Sequence, residues 1–124
     1  SDLYIINENG EIINKDFFHE AIKLNLLSQI LKNNFIGCSM AFKKELKEYI
    51  LPFPNNIEIH DWWIGLCAVL FFKVGFIDKK LLFYRRHNAN VTSGKRRSLM
   101  KIIKSRIFII INIVKRFYIK RCQK

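Results

Sequence analysis

With 124 residues, half of them apolar, the chain is one domain's worth of sequence and too hydrophobic to remain disordered. Its formal charge of +12 is unevenly placed: residues 1–94 hold 11 basic against 10 acidic side chains, whereas residues 95–124 hold 11 basic and no acidic ones. That excludes a uniformly basic globular surface and assigns any anionic partner to the tail.

The chain opens on Ser1 and runs directly into the apolar stretch Leu3-Tyr4-Ile5-Ile6, as a piece of a longer protein would. Leu3 to Ile6 reads as a strand, Asn9-Gly10 as a turn, and Glu11-Ile12-Ile13 as its return. Asp16 to Lys32 then carries Phe17, Ala21, Leu24, Leu27 and Leu31 at helical spacing, with Asn14 or Asp16 as cap and Asn33-Asn34 as the end. Phe35 to Phe42, around Gly37, reads as a strand or tight loop. A short helix is predicted near Lys43 to Tyr49, then a loop at Pro52 and Pro54.

From Asp61 to Phe72 the sequence is apolar on nearly every face, which predicts a buried helix ended by Gly75. Phe76-Ile77 is expected to begin a strand and Leu81 to Arg85 to form another. Residues 87–94 read as a loop, and residues 95–124 as a long basic helix. The cysteines Cys38, Cys67 and Cys122 form no Cys-x-x-Cys pair and fit reduced thiols in a cytosolic protein better than a zinc site. The fold class is α/β, with too few strands for a complete sheet; the rest is expected upstream.

Three segments carry residue types suited to chemistry: Asn34-Phe35-Ile36-Gly37-Cys38-Ser39, Ile59-His60-Asp61-Trp62-Trp63, and Tyr84-Arg85-Arg86-His87 followed by Asn90 and Gly94. In this order and spacing they resemble the carboxy-terminal half of bacterial family 2 glycosyltransferases of the GT-A fold. The resemblance covers about residues 1–94, an acceptor-side half domain, and leaves 95–124 as a basic amphipathic helix. It implies an inverting enzyme that moves a sugar from a nucleotide-diphosphate donor to a saccharide or lipid-linked acceptor, in cell-surface polysaccharide synthesis at the inner face of the cytoplasmic membrane.

Residue by residue, the resemblance makes Asp61 the base that deprotonates the acceptor hydroxyl. An Asp at a helix start is also a preferred cap, and the two roles are compatible. Arg85 matches the residue that holds the leaving diphosphate through its planar fork, and His87 the one that completes coordination of a divalent metal, Mg or Mn. Arg86 is expected to face solvent. Gly37 belongs to a loop approaching the donor sugar, where a missing Cβ admits close contact, or else only bends a strand. His60, Trp62, Trp63 and Asn90 are placed among the substrate-binding residues, with one tryptophan expected in the core and the other outward as a platform. The family's Asp-x-Asp motif and nucleotide-binding strands are absent, so this chain by itself is expected to bind no metal and to transfer no sugar.

In the tail, the uncharged run Ile107 to Val114 is eight residues long, well short of the roughly 20 needed to span a bilayer. Two readings stand side by side: a helix lying in the membrane interface, and a helix packed on protein, either the missing half or a second copy. Nucleic-acid binding, or a non-catalytic interaction domain acting through the tail, is the alternative to an enzyme. Aliphatic residues dominate the tail and would be wasted on phosphates.

Overall fold

The structure is a computed structural model that describes residues 1–14, 22–87 and 98–123. It is a mixed α/β architecture of helices with a small sheet. Two compact units divide the chain: Ser1–Ile22 with Phe76–Arg96, and Lys23–Gly75 with Arg97–Lys124.

The first unit holds the sheet, in which β1 (Asp2–Ile6) lies between β2 (Ile12–Asn14) and β3 (Lys80–Arg85). β1 and β2 form the antiparallel hairpin that Asn9-Gly10 predicts. The Asn7 carboxamide organises its turn: Oδ1 accepts from the backbone N–H of Asn9 and of Glu11, and Nδ2 donates to Glu11 Oε2. Gly10 takes the left-handed backbone (φ 87°) that the turn demands.

β3 pairs with β1 in parallel, in the register Tyr4 with Phe83, Ile5 with Tyr84 and Ile6 with Arg85. The Tyr4 and Phe83 rings stack at 5.1 Å. The expected strand start at Phe76-Ile77 is corrected: β3 begins at Lys80, which is the residue registered against Asp2 of β1. A strand needs a bonded neighbour, and β1 supplies one only from that point.

The second unit is helical. The predicted helix Asp16 to Lys32 lies partly outside the described residues, and within them it is shorter than expected: α1 spans Leu26–Leu31. Asn25, rather than Asn14 or Asp16, is its cap, with Oδ1 accepting from Ser28 N at 2.9 Å. Upstream, the Lys23 carbonyl accepts from Ser28 Oγ and Gln29 Nε2. These local side-chain bonds compete with a helical turn over residues 22–24, which is not helical.

A single 3₁₀ turn, Gly37–Ser39, occupies the Phe35 to Phe42 stretch. The short helix predicted next is a 3₁₀ turn at Lys44–Leu46 leading into α2 (Lys47–Ile50). The buried helix is present as α3 (His60–Phe71), ended at Phe72, whose N–H bonds back to Ala68, three residues before Gly75.

The long basic helix is α4 (Leu99–Cys122). Ile109 and Ile113 of α4 join Leu46, Ile50, Trp62, Trp63, Leu66 and Cys67 in one core. Arg116, also buried, lies 5.4 Å from the Trp63 ring and donates to the carbonyls of Leu51 and Pro52. Arg106 donates to the Leu31 carbonyl at the end of α1. Part of the tail's charge is therefore engaged inside the unit, donating to backbone carbonyls of Leu31, Leu51 and Pro52. Among the described residues, no helix is long and apolar enough to cross a membrane.

Candidate functional site

The N-terminal end of α3 brings together two of the residues singled out by sequence. Asp61 follows His60 in the first turn, so it is not the helix cap expected of it; Ile59 holds that position and makes no side-chain capping bond. The half-buried Asp61 carboxylate instead accepts from two backbone groups, Trp62 N–H at 2.7 Å through Oδ1 and Gly37 N–H at 3.2 Å through Oδ2. A carboxylate in the first turn is also favoured by the helix dipole. Each oxygen retains acceptor capacity beyond its one backbone bond, so the group can still take a proton from a hydroxyl.

Gly37 reaches Asp61 across 24 positions of sequence because the preceding segment is anchored at three points. Gln29, fully buried, donates Nε2 to the Lys23 carbonyl at 2.7 Å and accepts Asn34 N–H through Oε1 at 3.0 Å. Its backbone carbonyl also receives the Trp62 indole N–H at 2.7 Å, tying α1 to α3. Asn33 Oδ1 then accepts from Phe35 N–H.

The Phe35 ring lies directly on Gly65, where an added Cβ would come within 2.0–2.4 Å of three ring atoms. Phe35 thereby sets the 3₁₀ turn against the start of α3. At Gly37 itself a Cβ would sit 3.6 Å from Asp61 Cβ, an ordinary contact. Gln29 and Gly65 were missed from sequence: a polar residue in an apolar helix and a glycine in a buried one give no sign of what they touch.

The tryptophans correct their expectation. Both are buried, and each indole N–H is bonded to a backbone carbonyl, Trp62 to Gln29 and Trp63 to Ile50. Two large amphipathic rings with local acceptors gain more inside than outside, so neither presents a face to a sugar. His60 is exposed and packs edge-on against Phe53, with centroids 5.5 Å apart.

In the first unit, Arg85 ends β3 exposed, with its guanidinium donating to the Glu8 carbonyl in the hairpin turn. Arg86 is exposed, as expected, and its N–H extends the pairing to Ile6. His87 follows it, exposed. Asn90 and Gly94 lie outside the described residues. The candidate residues thus divide between the units, with Gly37, His60 and Asp61 in one and Arg85 and His87 in the other.

A divalent cation of the Mg type takes about six donors, mostly oxygens. His87 offers one nitrogen, and among the described residues no three His, Cys, Asp or Glu side chains gather to hold an ion. The donors among the described residues do not make a site for such an ion. No family model, curated protein or solved structure matches this chain.

Proposed function

We propose that this chain is the acceptor-side part of an inverting, GT-A-type sugar transferase using a nucleotide-diphosphate donor, with Asp61 as its base. The carrying observation is the meeting of the Gly37 turn and the Asp61 carboxylate, two motif residues far apart in sequence, joined by a direct hydrogen bond. A solvated carboxylate held by two backbone donors is fixed in direction yet able to accept a proton. In the reaction the acceptor hydroxyl oxygen bonds to the anomeric carbon as the bond to the diphosphate breaks on the opposite face. The hydroxyl proton passes to Asp61, and the bonding electrons leave with the diphosphate.

Arg85 is assigned to that diphosphate, since a guanidinium carries five N–H donors in a geometry suited to phosphate oxygens. The metal that the family resemblance implies is assigned to the longer enzyme, as is sugar transfer itself.

The test is Asp61→Asn in the full-length protein. Turnover is expected to fall by about 10² to 10⁴-fold with the far-UV spectrum unchanged and the melting temperature only modestly lowered, because Asn keeps one of the two acceptor oxygens that Asp61 offers to the Trp62 and Gly37 N–H groups. Retention of transfer at near wild-type rate would remove Asp61 from the chemistry.

A further inference from the structure

The packing of α4 leaves one of its faces unexplained. Its inner face is occupied by Ile109, Ile113 and Arg116. On the outer face Ile103, Ile107, Ile110, Ile111, Val114 and Tyr118 are each 41–62% exposed. At about 100° per residue, these six fall within roughly 100° of arc and along about 20 Å of helix. Soluble proteins rarely leave a contiguous aliphatic stripe of this kind uncovered.

The lysines along one of its edges identify what covers it. Lys104, Lys115 and Lys101 follow next around the helix, all exposed. No acidic residue occurs anywhere in 95–124. A second copy laid antiparallel on this face would set lysines against lysines with no carboxylate on the helix to offset them. A nucleic-acid backbone would meet the lysines but would leave the aliphatic stripe unused.

We propose that the outer face of α4 docks in the plane of an anionic phospholipid bilayer. The isoleucines enter the acyl boundary, and the three lysines extend their stems over the apolar surface to reach headgroup phosphates. The helix therefore has two jobs on two faces: the inner one closes the core and the outer one binds the surface. This inference does not rest on the sugar-transfer reading.

The test uses the intact chain and vesicles of phosphatidylcholine with or without phosphatidylglycerol, followed by sedimentation. Point changes on the outer face replace deletion, because deletion would strip the core as well. Binding is expected to anionic vesicles and to be much weaker to neutral ones. Lys104→Gln with Lys115→Gln should weaken it by about 30-fold, the equivalent of about 1 kcal/mol per lysine, and Ile107→Asn with Val114→Asn should abolish it, with circular dichroism and melting unchanged in both. Raised salt should reduce binding without eliminating it, since the aliphatic share is unscreened. Equal binding to neutral and anionic vesicles would overturn the proposal. So would absence of vesicle binding in a chain that forms a dimer dispersed by Ile107→Asn, or in one that binds duplex DNA tightly.

Discussion

Cys67 is a buried thiol whose Sγ–H points to the Tyr49 carbonyl, 3.6 Å away. Burial pushes this thiol up to about 12, with Arg116 pulling weakly the other way. The sign for stability follows from linkage. An unfolded thiol ionises near 8.5, so above that pH the unfolded state loses a proton that the folded state keeps until about 12. The contribution is whole below the unfolded value and is lost as pH rises towards the folded one. Urea titrations between pH 8 and 10.5 are expected to show stability falling in a way that Cys67→Ala flattens, beneath a uniform loss from the smaller side chain. At the same scale Gln29 illustrates why a buried amide is tolerated: its side chain is bonded at both ends, and no buried side-chain polar atom among the described residues lacks a partner.

At the scale of elements, α3 is the scaffold on which the candidate site depends. It contributes Trp62, Trp63, Leu66 and Cys67 to the core and holds Asp61 in its first turn. Gly65 within it is required by packing, since the Phe35 ring occupies the space a side chain would need. Gly65→Ala is expected to destabilise the unit by about 1–3 kcal/mol, the usual cost of overpacking, despite alanine's better helix propensity. Denaturant unfolding of the variant measures this, and a stabilised variant would show that the ring moves aside freely. Gly37→Ala makes a useful contrast, because its added methyl meets Asp61 at ordinary contact distance and should leave stability within about 0.5 kcal/mol.

For the whole molecule, α4 is a structural part of the helical unit as well as a carrier of charge. Ile109 and Ile113 are 2% and 4% exposed in the same core as Trp63, and Arg116 supplies donors to the Leu51–Pro52 loop. Removal of each such isoleucine side chain costs about 2–5 kcal/mol, comparable in sum with a small domain's entire stability. Truncation before Leu99 is therefore expected to abolish cooperative thermal unfolding of the helical unit. A truncated chain that melts sharply at the wild-type temperature would show that α4 is dispensable to it.

What the sequence determined by itself is what short-range physics controls. Alternating or continuous apolar runs located β1, most of β3 and α3, Asn9-Gly10 located the hairpin, and the charge count located the basic helix. The resemblance drawn from three motifs named Gly37 and Asp61, which the fold joins. The beginning of α1, the inward turn of both tryptophans, the absence of a strand at Phe76-Ile77 and the seat of Phe35 on Gly65 were decided only by tertiary structure. Each depends on a partner remote in sequence: a carbonyl for an indole, a neighbouring strand for an edge, a ring for the space above a glycine. Periodicity can state that a face is apolar, but it cannot state what will cover it. For that reason α4, a single amphipathic pattern in sequence, resolves into a core face and an outer face only once the rest of its unit is folded against it.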